Sequence, residues 1–386
     1  MRVLLYAGKG GVGKTSLALA TALAAAAHGH RVFVLSTDSA HSLGDALGRP
    51  VGPKPVLVAE RVMAQEVAVL AELDRSWSEL QDWLQGLFEE RRDTLLAEEL
   101  LVFPGLEELV ALRAVRDVEA AGAYDVCVVD CAPTGSTLRM LRLPDVLRFF
   151  MNGFFQAERR AMRVVKPIAD RIGAGRLVAS DEVFAAFERL YGEVEDVRQI
   201  LLDTDRTSAR LVLNPARVVL EEARRSFSYL SLYGVATDAV LVNRVLPEQA
   251  ARGYFSRWAE RESRVLEEIA SSFPLRRFYA PLLPREPIGT GALGALAREL
   301  YGEEDPARLF GHARPIRFEK REERTVLEID LPHAEKEEIG VTVCGDELLL
   351  RVRDARRRIA LPASLAGRAV EGVRLAKGVL EVVFAP

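Results

Sequence analysis

A glycine-rich loop near the start of the chain carries the clearest chemical signal. The segment reads Gly8-Lys9-Gly10-Gly11-Val12-Gly13-Lys14-Thr15, followed by Ser16. A glycine, four residues and then Gly-Lys-Thr is the spacing of a phosphate-binding P-loop, in which backbone N–H groups wrap the phosphates. Lys14 then reaches the outer phosphates and the Thr15 hydroxyl binds Mg²⁺. We therefore predict that residues 8–16 bind ATP and Mg²⁺.

The elements around this loop predict a doubly wound α/β fold with a parallel sheet. Arg2 to Tyr6 is a short apolar strand, Lys14 to His28 has the alanine and leucine content of a packed helix, and Arg31 to Ser36 is the next strand. A strand, a helix and a strand in about 35 residues form a βαβ unit, which implies parallel strands. Further strands are predicted at Tyr124 to Asp130, Ala209 to Leu213, Ala239 to Asn243 and Arg276 to Tyr279. We expect this domain to span residues 1–301.

Two long segments interrupt the alternation of strands and helices. Residues 70–121 and about 145–203 have a helical pattern with charged faces, and we interpret them as helical insertions on the sheet. In the second, Leu147, Phe150, Met151 and Phe154 follow the spacing i, i+3, i+4, i+7 and share one helix face. This stripe either packs in the core of its own subunit, as most such stripes do, or lines an apolar groove for a partner.

The pattern of apolar and polar residues changes after Tyr301. Gly302-Glu303-Glu304-Asp305-Pro306 is a polar stretch that stops a helix, and we expect residues 302–313 to be a linker. From residue 314 to residue 386 apolar and polar residues alternate, with turn signals at Gly345-Asp346 and Lys377-Gly378. This rhythm predicts a separate all-β sandwich domain.

Composition excludes several classes of function. The 52 basic and 56 acidic residues are well mixed and give a formal charge of -4, so nucleic acid is not an expected partner. The three cysteines have no zinc-binding spacing, and no structural zinc is expected. Because the chain enters a strand at once and its longest uncharged run is too short for a bilayer, we expect a cytoplasmic protein. Contact with a membrane would then occur through a client or receptor.

Lys9, just inside the P-loop, is the mark of the deviant form of this motif. Here the sequence resembles the P-loop family of the arsenite-pump ATPase, the tail-anchored-protein targeting ATPase, nitrogenase iron protein and the partition ATPases. In that class the second lysine crosses a dimer interface to the phosphates of the partner's ATP. The resemblance therefore implies that this chain is an ATPase that works as a homodimer.

Two further motifs favour the arsenite-pump and targeting branch of that family. Residues 36–45 are similar to its switch I, with Ser39 where proline is usual, and residues 130–139 are similar to its switch II, with Cys131 and Ser136 at variant positions. By this resemblance Asp38 positions the attacking water, and Asp130 holds Mg²⁺ directly or through water.

The adenine pocket is predicted from the same resemblance. Asn243 and the segment Pro281-Leu282-Leu283-Pro284-Arg285-Glu286, with Pro281 and Leu282 as the candidate contacts, are similar to the residues that line it in the family. An asparagine at a strand end is also a common turn residue, and that alternative stays open. The cysteines that bind zinc or metalloid in relatives are missing from this chain.

The C-terminal segment resembles the α-crystallin domain of small heat-shock proteins through Ile329-Asp330-Leu331-Pro332, Lys336-Glu337-Glu338-Ile339 and Gly378-Val379-Leu380. The two resemblances together lead to three hypotheses. The first is a homodimeric Mg-ATPase that couples its cycle to capture or targeting of hydrophobic client proteins, with the Phe150 stripe as the client groove. The second is an ATP-switched chaperone or holdase, and the third is a metalloid-efflux pump motor.

Overall fold

The computed structural model describes residues 1–37, 42–67, 106–131, 181–250, 252–311 and 314–385. Most of both predicted insertions lies outside these ranges, and so does the stripe of Leu147, Phe150, Met151 and Phe154. The described parts of the insertions are helical, as the sequence pattern predicts: α3 at Leu106–Ala120 and α4 at Asp181–Leu202.

The described residues before 302 form an eight-stranded sheet in the order β3-β4-β2-β5-β1-β6-β7-β8. All neighbouring strands are parallel except β3 and β4. Strands β1, β2 and β5 are almost wholly apolar and buried along their length, as expected of a parallel sheet covered on both faces. The strands are β1 Arg2–Ala7, β2 Val32–Ser36, β3 Val56–Ala59, β4 Val62–Glu66, β5 Val126–Asp130, β6 Thr207–Leu213, β7 Thr237–Val245 and β8 Arg276–Pro281.

Helices cover both faces of the sheet, which confirms the doubly wound α/β fold. One apolar core lies under α1, α2 and α7, and the other lies under α3, α4, α5 and α6. Alanines such as Ala18 and Ala22 are fully buried in α1, which lets this helix approach the sheet closely. Beyond α3 and α4, the helices are α1 Lys14–Ala27, α2 Ser42–Leu47, α5 Arg217–Leu232, α6 Ser256–Ser272 and α7 Gly289–Tyr301.

The strands and first helix predicted in this domain are confirmed, and none of their ends moves by more than two residues. The predicted βαβ unit is parallel, but β5 lies between β1 and β2. The sequence interpretation missed the hairpin of β3 and β4. Its turn contains Arg61 at φ 62°, so the glycine or asparagine that marks such turns is absent.

Residues 314–385 form two antiparallel sheets, which confirms a C-terminal all-β unit. Their apolar core, with Leu327, Leu350 and Phe384 at its centre, also contains Leu232 and Tyr233 from the end of α5. The four-stranded sheet has the order β14-β15-β10-β9 and the three-stranded sheet the order β11-β12-β13. The strands are β9 Ile316–Arg321, β10 Arg324–Asp330, β11 Ile339–Cys344, β12 Glu347–Val352, β13 Ala355–Ala360, β14 Val370–Ala376 and β15 Val379–Phe384.

Hydrogen bonds between α5 and the β unit surround this shared core. The Tyr229 hydroxyl donates to Asp354 Oδ1 at 2.5 Å, the Tyr233 hydroxyl donates to the Arg356 carbonyl oxygen at 3.2 Å, and the buried Arg357 guanidinium donates to the Leu232 carbonyl oxygen. The Arg357 bond satisfies the last carbonyl group of α5, and the two tyrosine hydroxyls add further bonds, so the β unit is seated on the end of that helix.

The segment expected to be a linker is held against the sheet by Arg210. Its buried guanidinium donates to the Pro306 carbonyl oxygen at 2.6 Å, lies 3.4 Å from Asp238 Oδ1 and stacks over the Phe310 ring at 5.0 Å. Burial disfavours the Arg210 charge, but Asp238, Tyr6 and Tyr301 together outweigh that effect and the pKa of Arg210 is raised. The connection between the two units is therefore packed.

Candidate functional site

The predicted P-loop joins β1 to α1 and depends on glycines at two close approaches. A Cβ on Gly13, at φ 94°, would lie 2.2 Å from Asn243 Nδ2, and one on Gly8 would lie 2.3 Å from the Val212 carbonyl oxygen. A Cβ on Gly8 would collide with backbone, and the φ of Gly13 strains any residue with a Cβ, so the loop follows this path with glycine at both positions.

A cavity of about 410 Å³ opens beside the loop, at the carboxyl ends of the parallel strands. This is where ligands bind in open α/β sheets, and the volume lies within the usual range for small-molecule sites. Of the predicted residues, Gly10, Gly11, Gly13, Lys14, Thr15, Ser16, Asn243, Pro281 and Leu282 line it. Gly8 and Val12 lie beneath the loop instead, with Val12 buried in the core.

Lys14 and Lys9 have different surroundings although both belong to the loop. The Lys14 side chain is 6% exposed, lines the cavity and lies 3.4 Å from the Lys9 carbonyl oxygen. The Lys9 side chain is half exposed, and its ammonium lies 3.2 Å from Glu222 Oε2 on α5. Lys14 is thus placed for phosphate in its own subunit, whereas Lys9 is outside the set of residues that line that cavity.

Three side-chain oxygen atoms that could bind a metal come together at Thr15, the second residue of α1. The Thr15 hydroxyl donates to Asp130 Oδ2 at 2.6 Å and lies 3.0 Å from the Ser42 hydroxyl. Asp130 is buried at the end of β5, where the switch II motif begins. Hydroxyl and carboxylate oxygens are donors that Mg²⁺ accepts, with water and phosphate completing its shell, so this group fits the metal.

The sequence interpretation missed Ser42 as a candidate site residue, together with the carboxylate that positions it. Glu66 at the end of β4 is buried and accepts the backbone N–H groups of Leu43 and Gly44, both at 3.0 Å. A carboxylate at this place satisfies the free N–H groups of α2, which starts at Ser42. Nothing in the sequence signals that Glu66 caps α2, because Leu43 and Gly44 lie more than 20 residues away from it in the chain.

Asn243 holds the P-loop as well as lining the cavity. Its Nδ2 donates to the Val12 carbonyl oxygen at 2.8 Å, and its Oδ1 accepts the Arg244 backbone N–H at 2.9 Å. Both ends of the amide therefore support the loop and the end of β7. Contact with adenine stays a prediction for Asn243, as it does for Pro281 and Leu282.

Part of the remaining cavity wall was also missed. Arg244 adopts φ 60°, a left-handed conformation that is uncommon for a side chain of this kind and that places it at the rim. The segment after β8 contributes Leu283, Arg285 and Glu286, which lie in the segment assigned to the adenine pocket by resemblance, and Pro287 and Ile288, which were missed. Asp38, predicted to position the attacking water, lies outside the described residues.

Two further observations concern the chemistry of the chain. In the part of the chain that the structure describes, no group of three or more His, Cys, Asp or Glu side chains is arranged to hold a metal, and no helix could cross a membrane. Burial raises the pKa of the Cys127 thiol to about 12, so this residue is an unreactive core side chain.

The fold and this cavity define a P-loop nucleotide-binding protein. A family model described as "Anion-transporting ATPase" matches residues 1–302, and one described as "HSP20-like domain found in ArsA" matches residues 322–384. The chain therefore belongs to the family of anion-transporting ATPases and carries a C-terminal HSP20-like domain. This confirms both resemblances predicted from the sequence, and the protein is an ATPase.

Similar proteins cover nearly the whole chain. The "Putative arsenical pump-driving ATPase 1" of Aquifex aeolicus is 34% identical over 389 residues, 98% of each chain. The "Putative arsenical pump-driving ATPase" of Chlorobaculum tepidum is 35% identical over 373 residues, 95% of this chain and 92% of its own. "ATPase ARSA1" of Chlamydomonas reinhardtii is 29% identical over 325 residues, 76% of this chain and 42% of its own.

Proposed function

We propose that this protein is a homodimeric Mg-ATPase that couples ATP binding and hydrolysis to the capture or targeting of hydrophobic client proteins. The observation that carries the homodimer is the position of Lys9. Its ammonium pairs with Glu222 on α5 and does not line the cavity of its own subunit, so it is not committed to that subunit's own nucleotide and can be exchanged to a partner's phosphates. Closure of two subunits around ATP would complete each site with a second lysine.

Within one subunit the described residues have separate duties. Lys14 neutralises the outer phosphates, and the loop backbone holds them through its N–H groups. Thr15, Ser42 and Asp130 would hold Mg²⁺, which when bound would offset the negative charge of the phosphates. Asp38, through the family resemblance, would orient the attacking water. Because phosphoryl transfer depends on position and charge, these residues bind and orient ATP within one subunit, and hydrolysis starts when closure adds Lys9 of the partner subunit.

The client side of the proposal has two supports. The HSP20-like unit belongs to a class of domain found in chaperones, and here it is seated on α5 of the ATPase unit. The apolar stripe of Leu147, Phe150, Met151 and Phe154 is the proposed groove, although it lies outside the described residues. An ATP-switched holdase remains the alternative form of this function, since the same HSP20-like match favours it.

ATP turnover and peptide capture test the two halves separately. Lys9→Ala should abolish hydrolysis while the monomer still binds ATP through Lys14, and Asp38→Asn should trap a closed dimer. Phe150→Asp and Phe154→Asp should abolish capture of a hydrophobic peptide while the melting temperature is retained.

Unchanged turnover in Lys9→Ala contradicts the dimeric mechanism. Loss of folding with capture preserved per folded molecule assigns the stripe to the core. A holdase would protect clients even in a variant that cannot hydrolyse ATP.

A pump motor is the second candidate, because relatives are named as arsenical pump-driving ATPases. The chain has three cysteines, of which Cys127 and Cys131 are buried and Cys344 is exposed in the β unit. This arrangement gives no shared thiol site for arsenite. ATP turnover that arsenite leaves unchanged would remove this candidate, and stimulation by arsenite would support it over client capture.

A further inference from the structure

An ion pair joins the P-loop to α5 at the residue that the dimer mechanism needs. Lys9 Nζ and Glu222 Oε2 are 3.2 Å apart, with 41% and 31% of their side chains exposed. The neighbouring residue Glu221 instead pairs with Arg224 at 2.6 Å on the same helix. Two adjacent glutamates of α5 therefore have different partners, and one of the partners is Lys9.

Helix α5 is a rigid support for this pair. One face of the helix is buried in the core beneath the sheet through Leu220, Ala223 and Phe227. At the C-terminal end of the helix, Leu232 is buried in the core of the β unit. Glu222 thus has a fixed position relative to the P-loop, because neither end of α5 can shift without disturbing a packed core.

We propose that Glu222 is a positioning residue that holds Lys9 in its own subunit until two subunits close around nucleotide. The proposal rests on the proposed function, since Lys9 must leave Glu222 to reach a partner's phosphates. Each closure then breaks one such ion pair in each subunit. The pair therefore opposes closure, and the phosphate charge of a bound nucleotide supplies the competing attraction for the Lys9 ammonium.

The size of the effect follows from the exposure of the pair. An ion pair of this kind changes an equilibrium roughly two- to fivefold. A symmetric dimer breaks two of them, so the effects multiply to roughly four- to twenty-five-fold in the dimer dissociation constant. Removing the Glu222 charge should tighten the nucleotide-bound dimer by this factor.

The test compares Glu222→Gln with Glu221→Gln in the full chain. Both variants remove one negative charge from adjacent positions of α5, but only the first releases Lys9. Sedimentation velocity with Mg²⁺ and a non-hydrolysable ATP analogue, over a series of protein concentrations, gives the dimer dissociation constant. We expect a tighter dimer for Glu222→Gln and a value near wild type for Glu221→Gln. In a Lys9→Met background, Glu222→Gln should change nothing.

Salt provides an independent readout, because screening weakens exposed pairs. The difference between wild type and Glu222→Gln should shrink as the salt concentration rises. If wild type stays monomeric with the analogue, the homodimer proposal fails and takes the role of Glu222 with it. If wild type dimerises but Glu222→Gln matches Glu221→Gln, or weakens the dimer, the role of Glu222 alone is overturned.

Discussion

Two clusters of polar side chains lie on the same sheet, and they differ in whether they reach an open cavity. In the first, Thr15 lines the open cavity and donates to Asp130, which is buried at the carboxyl end of β5. In the second, Arg210 and Asp238 face each other and the backbone of residues 306–308, and they are fully buried. Polar groups that satisfy one another hold the fold together, whereas those that converge on open space are placed for a ligand.

The largest expected effect belongs to the cavity. Asp130→Asn should lower ATP turnover about 10³-fold, equivalent to about 4 kcal/mol, because the amide loses the charge that faces the metal. Its melting temperature should stay near that of wild type, since the amide keeps the shape and the bond to Thr15. Asp125→Asn is the matched control, as Asp125 pairs with Arg31 on the surface. Normal turnover in Asp130→Asn would remove Asp130 from the site.

The second cluster should respond in stability and not in turnover. Arg210→Met should lower the free energy of unfolding by about 3 kcal/mol, because it breaks a buried ion pair and releases residues 306–308. Arg2 continues to pair with Asp238 at 2.9 Å and limits the loss. Denaturant unfolding measures the change, and ATP turnover per folded molecule serves as the control. A stable variant with impaired turnover would reverse the distinction between the two clusters.

The third comparison is the junction between the two units, where the apolar side chain of Leu232 from α5 completes the core of the β unit. Leu232 is fully buried among β-unit residues, so Leu232→Ala should lower the free energy of unfolding by about 2 to 3 kcal/mol. We still expect the isolated fragment 314–386 to fold as a sandwich, but with lower stability than in the whole chain. Far-UV circular dichroism with melting of the fragment measures both properties. A fragment as stable as the intact unit would show that α5 contributes nothing to its core.

The smallest expected effect is a pH dependence at this junction. His333 packs between Phe227 and Phe273, and its Nε2 bonds to the Ser272 carbonyl oxygen at 2.9 Å. Burial lowers the pKa of His333 below its ordinary value of about 6.5. The unfolded chain therefore takes up the proton first, and this contribution to stability is lost as pH falls below about 6.5.

His333→Asn is the matched variant, because asparagine tolerates the left-handed backbone at φ 64°. Melting temperatures from pH 7.5 to 5.5 should fall more steeply in wild type than in His333→Asn. Parallel curves would show that His333 has the same pKa in both states.

How far the sequence predicts this structure depends on the distance between interacting residues. The P-loop and the central strands were predictable because their signals are local: glycine spacing and short apolar runs. The role of Glu66 at α2 and the tether from Arg210 to Pro306 join residues far apart in the chain, and nothing in their neighbourhood marks them. The shared core at Leu232 was missed for a similar reason, since an apolar helix end looks the same whichever unit it contacts.

The central claim is that Lys9 completes the site of a partner subunit, and mixing two inactive variants tests it most directly. The Lys9→Ala subunit cannot supply Lys9 to the site of its partner, and the Asp130→Asn subunit lacks a metal ligand in its own site. Each homodimer should therefore be inactive. In a mixed dimer the Lys9→Ala subunit has an intact Asp130 and receives Lys9 from its partner, which leaves one complete site of two. Equal mixing with free exchange should restore about a quarter of wild-type ATP turnover. A mixture no more active than either variant alone would contradict the claim.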